Sequence, residues 1–336
     1  MTNQKSQEIR LKHRPVGMPK PDDFALAETP VPTPGEGQVL VRNSYMSVDP
    51  YMRGRMTDRA SYVAPFQIGE ALSGGAVGQV VASNNAKFKV GDHVNNFSGW
   101  REYFVSDGGE LTKIENIPGI GIQAYLGALG MPGLTAYAGL LKVGELKEGE
   151  RVFVSAASGA VGAIVCQIAK NKGCYVVGSA GSDEKCEWLV KTARCDHAIN
   201  YKKEKNLEAA VRAAFPQGID VYFENVGGAH LDAALANMRM HGRIPVCGMI
   251  AQYNATELPA GPSNIIAVIP MRITIKGFIV SDYGNLTPQF LSDMVGWIKE
   301  GKMKWEETIY DGIARAPEAF IGLFKGDNFG KMLVKL

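Results

Sequence analysis

The feature that most constrains the fold is a regular alternation of strand-like and helix-like runs that starts at residue 151. Short apolar runs rich in β-branched and aromatic residues predict six strands, at 151–155, 175–178, 197–201, 220–224, 243–247 and 274–280. Amphipathic runs between them predict helices at 160–172, 184–192, 207–215 and 231–240. Parallel strands need crossover connections, usually helical, so the alternation predicts a parallel sheet. Six such strands are typical of a Rossmann-type, doubly wound α/β fold.

The residues before this alternation show a different pattern. Short alternating runs at 38–45, 75–82 and 92–97 are separated by turns rich in Pro and Gly. This pattern is typical of an antiparallel, partly open β-barrel. The last segment, 305–336, is predicted to form a strand, a helix and a strand that return to this barrel. The predicted organisation is a β-rich substrate (catalytic) domain over 1–129 and 301–336 and a Rossmann-type domain over 130–300.

The composition excludes two classes of partner. Lys and Arg total 36 against 34 Asp and Glu, a formal charge of +2, so no strong basic field favours nucleic acid or acidic lipid. The first residues are polar, and no run approaches the roughly 20 apolar residues that cross a bilayer. We therefore expect a cytoplasmic protein with a small-molecule substrate, no nucleic acid partner and no membrane association.

The cysteines and histidines predict that the chain has no metal site. None of the five cysteines precedes Cys166, and no two of them are spaced as Cys-x-x-Cys. The five histidines are also scattered without the spacing of metal ligands. Because a zinc site needs three or four such ligands, we expect no metal. The odd number of cysteines in a chain this long indicates reduced thiols.

A glycine-containing turn follows the first predicted strand of the Rossmann-type domain. It runs Ala157-Ser-Gly159-Ala160-Val161-Gly162 and opens the first predicted helix. This context is the one in which a turn binds the pyrophosphate of a dinucleotide, because the helix N-terminus supplies N–H donors. Gly159 would let the backbone approach the pyrophosphate, and Gly162 would let helix and strand pack closely. The first glycine of the usual fingerprint is Ala157 here.

The end of the second predicted strand indicates which dinucleotide is bound. An NAD site would carry Asp or Glu there to bind the ribose 2′-hydroxyl, whereas this chain has Gly178-Ser-Ala-Gly181. Lys185 lies one helical turn further on, placed for a 2′-phosphate. The sequence therefore predicts NADPH. Asp183 and Glu184 oppose this reading unless they serve as N-terminal charges of the next helix.

Six segments spread along the whole chain carry a specific resemblance to a known family. They are VDPYMR at 48–53, LGMPGLTAY at 129–137, ASGAVG at 157–162, FENVGG at 223–228, CGMIAQYN at 247–254 and NFGK at 328–331. In these segments the chain resembles the zinc-free leukotriene B4 12-hydroxydehydrogenase/prostaglandin reductase family of the medium-chain dehydrogenase/reductase superfamily, which includes bacterial NADPH-dependent curcumin reductases. The resemblance implies a GroES-like first domain, NADPH and a homodimer.

The resemblance also implies roles for particular residues. Lys185 and Tyr201 would contact the adenosine 2′-phosphate, beside Gly181, and Asn225 would lie along the cofactor. Tyr253 matches the tyrosine near the substrate carbonyl, and Tyr51 lies where the substrate pocket is expected. The nicotinamide half would be flanked by Cys247, Phe278, Val280 and Asn328.

The absence of zinc ligands favours a particular reaction. Where zinc dehydrogenases of this fold carry a Cys and a Gly-His-Glu stretch, this chain has Met46-Ser-Val-Asp-Pro and Ile68-Gly-Glu70. Conjugate reduction of an enone or enal needs only hydrogen-bond donors for the developing enolate, for example Tyr253. We therefore expect hydride transfer to the β-carbon. Two alternatives stay open: a zinc-free NADPH quinone reductase, and a nonenzymatic, crystallin-like NADPH-binding protein.

The sixth predicted strand also predicts assembly. The apolar, β-branched segment 271–280 should form the outer edge of the parallel sheet. An exposed edge of this kind is open to further pairing unless it is covered. A second copy of the chain would cover it, so we expect a homodimer.

Overall fold

The computed structural model describes residues 4–257 and 259–336, which divide into two compact units. The first unit contains the described residues up to Leu126, Glu307–Asn328 and Met332–Leu336, and the second contains Gly127–Glu306 and Phe329–Lys331. The strands are β1 (Lys5–Leu11), β2 (Phe24–Pro30), β3 (Val39–Ser47), β4 (Ala76–Ser83), β5 (His93–Asn96), β6 (Tyr103–Ser106), β7 (Thr112–Lys113), β8 (Arg151–Val154), β9 (Tyr175–Ala180), β10 (His197–Asn200), β11 (Ile219–Phe223), β12 (Met238–Val246), β13 (Thr274–Gly277), β14 (Glu307–Asp311) and β15 (Lys331–Lys335). The α-helices are α1 (Met52–Arg55), α2 (Met131–Ala138), α3 (Gly162–Asn171), α4 (Asp183–Lys191), α5 (Leu207–Ala214), α6 (Gly228–Leu235), α7 (Val268–Met271), α8 (Thr287–Lys299) and α9 (Ala316–Lys325).

The first unit is built on antiparallel pairing. Strands β1 and β2 form a hairpin, and a seven-stranded sheet runs in the order β14-β15-β3-β4-β5-β7 with β6 paired to β3. The β3–β4, β3–β6, β4–β5, β5–β7 and β15–β3 pairs are antiparallel. Its core contains the completely buried Trp100, whose ring lies about 6 Å from those of Phe24 and Phe320. The antiparallel sheet predicted for this part of the chain is confirmed.

The second unit contains a six-stranded sheet in the order β10-β9-β8-β11-β12-β13. Each neighbouring pair is parallel. Counted from β8, this is the 3-2-1-4-5-6 order of the Rossmann fold, so the predicted sheet is confirmed. The order reverses between β8 and β11, and ligands of such sheets bind at the carboxyl ends of the strands beside that switch point. The buried rings of Phe153 and Tyr222, one on each strand, stack 5.1 Å apart beneath it.

Three predicted elements were wrong in their extent. The helix predicted at 231–240 ends at Leu235, because Asn237 caps the end of the helix. The Asn237 side-chain Nδ2 donates to the Ala233 carbonyl at 2.7 Å, and the main-chain carbonyl of Asn237 accepts from Ile219 N at 2.9 Å. The strand predicted at 243–247 is therefore longer: β12 begins at Met238, where it pairs with Ile219 of β11. The last parallel strand ends at Gly277 instead of residue 280, because its partner β12 ends at Val246, opposite Gly277.

Candidate functional site

The turn between β8 and α3 is packed so tightly that glycine is required at position 162. A Cβ built on Gly162 would lie 2.4 Å from the Ala156 carbonyl oxygen and 2.8 Å from Ala157 Cα. Both distances are shorter than real contacts, so only glycine fits where α3 begins. Ala157 N donates to the Ser179 carbonyl at 2.9 Å, which joins the turn to β9. The predicted turn residues, including Gly159, Ala160 and Val161, therefore lie together at the carboxyl end of β8.

The stretch Phe329–Lys331, which belongs to the second unit, lies against this turn. Gly330 N donates to the Ser158 carbonyl at 2.9 Å, and Gly330 adopts a left-handed φ of 67°. A Cβ at Gly330 would lie 1.9 Å from the Glu306 carbonyl oxygen, so this crossing also requires glycine. Asn328, predicted to contact the cofactor, lies two residues before Gly330 in the chain and belongs to the first unit.

Of the residues predicted to bind the 2′-phosphate, Gly181 and Tyr201 lie together at the end of β9, and Lys185 follows in the next helix. A Cβ built on Gly181 would lie 3.1 Å from the Tyr201 hydroxyl and 3.2 Å from Lys202 Cε. Lys185 lies in the first turn of α4, where its N–H donates to the Ser182 hydroxyl at 3.3 Å. The space beside Gly181, where an NAD site would carry Asp or Glu, is thus bordered by the Tyr201 hydroxyl and the Lys202 side chain. Sequence reasoning missed Lys202, which follows β10 with no motif to single it out.

Asp183, the carboxylate that opposed an NADPH site, has its charge compensated. Its side chain accepts a hydrogen bond from Asn200 Nδ2 at 2.7 Å and pairs with the Lys203 ammonium. The hydrogen bond from Lys203 is the main reason that the pKa of Asp183 is lowered, with Asn200 second. Both partners come from the end of β10, which lies beside β9 in the sheet.

A buried histidine lies behind Tyr201. His230, in the first turn of α6, is 4% exposed, and its Nε2 lies 2.8 Å from the Ser179 hydroxyl. Its ring contacts the Tyr201 ring edge-on, with 5.0 Å between the ring centroids. Burial lowers the pKa of His230 to about 4, so the imidazole is neutral near pH 7. No spacing in the sequence indicated this contact.

The residues predicted to lie along the nicotinamide half follow β11, β12 and β13. Asn225 donates from its side chain to the Ser155 carbonyl at 2.7 Å, which fixes its amide at the switch point. The pKa of the Cys247 thiol is raised to about 12, first by burial and second by the charge of Glu224, so this thiol is neutral. Phe278 contacts the Phe223 ring at 6.3 Å between ring centroids, and Val280 begins a 3-10 helix.

The two tyrosines predicted near the substrate belong to different units. The Tyr253 hydroxyl accepts a hydrogen bond from Met249 N at 3.3 Å, and it lies over Gly248, where a Cβ would be only 2.8 Å away. Tyr51, in the first unit, precedes α1 and has a buried hydroxyl. Burial and then the charge of Asp49 raise the pKa of Tyr51, and the neighbouring Arg55 guanidinium opposes this shift.

Two further observations concern classes of site. Within residues 4–257 and 259–336, no three His, Cys, Asp or Glu side chains are arranged to hold a metal ion. Over the same residues, none of the helices is both long and apolar enough to cross a membrane.

Comparison with known proteins shows the family. Two family models match the chain: an N-terminal domain of oxidoreductase over residues 7–114 and a zinc-binding dehydrogenase over residues 160–299. The chain is 47% identical to the NADPH-dependent curcumin reductase of Escherichia coli, covering 100% of this chain and 99% of that protein. It is 44% identical to prostaglandin reductase 1 of Rattus norvegicus, with 97% of each chain covered.

A solved structure agrees with these relatives. The structure of CurA from Vibrio vulnificus in complex with NADPH superposes with a TM-score of 0.93 at 45% identity, over 98% of both chains. Identity at this level over whole chains confirms the family predicted from the sequence motifs. The chain belongs to the medium-chain dehydrogenase/reductase superfamily, in the branch of the curcumin and prostaglandin reductases.

Proposed function

We propose that this chain is an NADPH-dependent reductase that saturates the α,β carbon–carbon double bond of enones and enals. The observation that carries the proposal is the arrangement at the carboxyl ends of β8, β9, β11 and β12. The loops that follow these strands carry four features of the proposed site. They are the tight glycine turn, a lysine and a tyrosine around Gly181, the amide of Asn225 and the hydroxyl of Tyr253. The similarity along the whole chain to an NADPH-dependent curcumin reductase and to a prostaglandin reductase supports this reaction class.

NADPH is preferred over NADH in this proposal because the end of β9 is electrically suited to phosphate. No carboxylate occupies positions 178–181, and the charge of Asp183 is taken up by Lys203. Lys185 and Tyr201 are the proposed 2′-phosphate ligands, and Lys202 supplies a further positive charge beside Gly181. A cation and a hydroxyl both favour a phosphate dianion.

The roles of the other residues follow from what the reaction requires. The N-terminus of α3 presents backbone N–H donors suited to the pyrophosphate. When bound, NADPH supplies the hydride that goes to the β-carbon. The substrate carbonyl then gains negative charge as an enolate, and the Tyr253 hydroxyl is the proposed hydrogen-bond donor to it. A proton from water or a tyrosine completes the saturated product at the α-carbon, and Tyr51 is proposed to line the substrate pocket.

The proposed partner of the chain is a second copy of itself, and its proposed location is the cytoplasm. The outer strand β13 is exposed along its whole length, and the adjoining Ile266 and Ile269 are 68% and 71% exposed. An unpaired edge strand beside exposed apolar side chains favours pairing with a two-fold mate. The five cysteines are free thiols, which supports a reducing compartment.

The proposed function is tested by following NADPH absorbance with the purified chain and three substrates: a linear enal, a linear enone and a benzoquinone. We expect turnover on the enal and enone, with a product two hydrogens heavier by mass spectrometry. Faster turnover of the quinone would favour a quinone reductase, and cofactor binding without turnover would favour a nonenzymatic role. Prior dialysis against a chelator should leave the rate unchanged, since no cluster of metal ligands is found among the described residues.

A further inference from the structure

A buried carboxylate lies at the switch point of the sheet, and no step of the proposed reaction uses it. Glu224 directly follows β11 and is 0% exposed. A buried carboxylate is costly unless hydrogen bonds compensate it. Four donors converge on Glu224 Oε1: the Ser155 hydroxyl at 3.1 Å, the Tyr222 hydroxyl at 2.8 Å, and the N–H groups of Val226 at 2.6 Å and Gly227 at 2.9 Å.

These hydrogen bonds hold a backbone turn that would otherwise be unfavourable. Gly227 and Gly228 adopt left-handed φ values of 76° and 52° immediately before and at the start of α6. Glycine loses the most freedom on being ordered in such a turn. The Glu224 carboxylate offsets this loss of backbone freedom by accepting a hydrogen bond from the N–H of Gly227. The side chain of Glu224 thus determines where the loop 225–228 lies.

The main chain of Glu224 extends this control to the loop after β12. Its carbonyl accepts from Cys247 N at 2.9 Å and from Gly248 N at 3.2 Å. One residue on, the Asn225 carbonyl accepts from Ile250 N at 3.2 Å. The loops 225–228 and 247–253 are therefore hydrogen-bonded to each other through Glu224 and its neighbour. They carry Asn225, Cys247 and Tyr253, three of the proposed site residues.

The second carboxylate oxygen also faces the interior. Glu224 Oε2 is buried and has no hydrogen-bond partner among residues 4–257 and 259–336. Burial raises the pKa of Glu224, and the four hydrogen bonds on Oε1 oppose that shift. The negative charge of the Glu224 carboxylate helps to raise the pKa of the Cys247 thiol. Glu224 therefore acts on the loop after β12 through hydrogen bonds to its main-chain carbonyl and through the charge of its carboxylate.

We propose that Glu224 is a positioning residue whose carboxylate holds the loop 225–228 and, through the backbone hydrogen bonds between the two loops, also holds the loop 247–253 in the arrangement that receives the nicotinamide half of the cofactor. The functional part of this inference rests on the proposed NADPH-dependent activity. The structural part does not, because it concerns the two loops without cofactor.

The structural part is tested by hydrogen–deuterium exchange of the full chain without cofactor. Glu224→Gln keeps the side-chain size but removes the charge, and it places an N–H donor where Oε2 has no acceptor. We expect amides in 225–228 and 247–253 to exchange about tenfold faster than in the parent chain, with the β1–β2 hairpin unchanged. Glu187→Gln, on the exposed face of α4, is the matched control. Parent-like exchange in both loops of Glu224→Gln would overturn the proposal.

The functional part is tested by calorimetric binding of NADPH and of 2′,5′-ADP, a fragment without nicotinamide. Glu224→Gln should weaken NADPH about tenfold and leave 2′,5′-ADP within twofold. Equal losses for both would mean a general destabilisation and would refute a positioning role. Failure of the parent chain to bind NADPH would overturn the proposed function. The structural part of the inference would then be decided by the hydrogen–deuterium exchange alone. Should Glu224→Gln not fold, Tyr222→Phe removes one donor, and unchanged exchange in that variant would count against the proposal.

Discussion

Ala157 and Gly178 share one small space behind the turn between β8 and α3. A Cβ built on Gly178 would lie 2.8 Å from Ala157 Cβ and 3.0 Å from Leu189 Cδ1. The alanine at the first fingerprint position is therefore accommodated by a glycine on the neighbouring strand β9. This pairing explains how the turn keeps its shape although one glycine of the usual pattern is replaced.

The first prediction tests this shared space. Gly178→Ala should destabilise the chain by about 1–3 kcal/mol, because overpacking a closed site forces its neighbours to move. Adding Ala157→Gly should recover at least half of the loss, since the total side-chain volume is restored. Thermal unfolding of the two single variants and the double variant measures the coupling. Strictly additive effects would show that the two positions do not share space.

The second prediction concerns cofactor selectivity. Lys185→Ala should weaken NADPH binding by about 1.5–3 kcal/mol, the range of a charge-assisted hydrogen bond, and leave NADH within twofold. Lys191→Ala, in the last turn of the same helix, is the matched control and should change neither. Dissociation constants from fluorescence titration give the comparison. Equal losses for the two dinucleotides would remove Lys185 from the phosphate site.

The third prediction concerns the compensated carboxylate near that site. Lys203→Ala leaves Asp183 without its ammonium partner, so its negative charge should repel the 2′-phosphate and weaken NADPH about threefold to tenfold. The double variant Asp183→Asn, Lys203→Ala should bind NADPH nearly as well as the parent chain. Raising the salt concentration should shrink the effect of Lys203→Ala. If the double variant is no better than the single one, the pairing has no part in selectivity.

The fourth prediction follows from the neutral histidine behind Tyr201. The folded state holds the pKa of His230 at about 4, below its ordinary value of 6.5, so the unfolded chain binds the extra proton first as the pH falls. Stability from this group is complete above about pH 6.5 and is lost as the pH falls toward 4. Between pH 7 and pH 5 the loss should be about 2 kcal/mol. His230→Gln should therefore show a flatter dependence of the melting temperature on pH, and an unchanged slope would contradict this account.

The fifth prediction concerns the exposed edge of the parallel sheet. Ile269→Asp should convert the expected dimer to a monomer, because a buried unpaired carboxylate is strongly disfavoured at an apolar contact. Val90→Asp, at a 66% exposed position of the first unit, is the matched control and should leave assembly unchanged. Light scattering after size-exclusion chromatography reports the mass. A monomeric parent chain at assay concentration would refute the proposed dimer.

A proline at Ile273 would be a poor test of the same edge. Ile273 is 6% exposed, and its N–H donates to the Val268 carbonyl at 3.1 Å. Proline there would remove a hydrogen bond and a core side chain of the second unit itself. The loss of fold would then conceal any loss of pairing.

Much of the second unit could be predicted from the sequence alone. Its strands and helices follow from local periodicity, and the turn at 157–162 is recognisable because strand, glycines and helix are adjacent along the chain. The missing carboxylate at 178–181 is likewise a local feature. Where local patterns competed, prediction failed: the apolar run through Met238 reads as helix, yet pairing with β11 makes it strand.

Only the tertiary structure decided which distant residues meet. Parallel strands bring their carboxyl ends to one edge of the sheet, and this places residues from distant parts of the chain side by side. Three such pairs are Ala157 with Gly178, Asp183 with Lys203, and His230 with Tyr201. The quoted motif FENVGG singled out Asn225, whereas burial and four converging donors single out Glu224. Periodicity specifies which face of an element is apolar, but the cost of a buried charge and the fit of a Cβ depend on atoms from other elements.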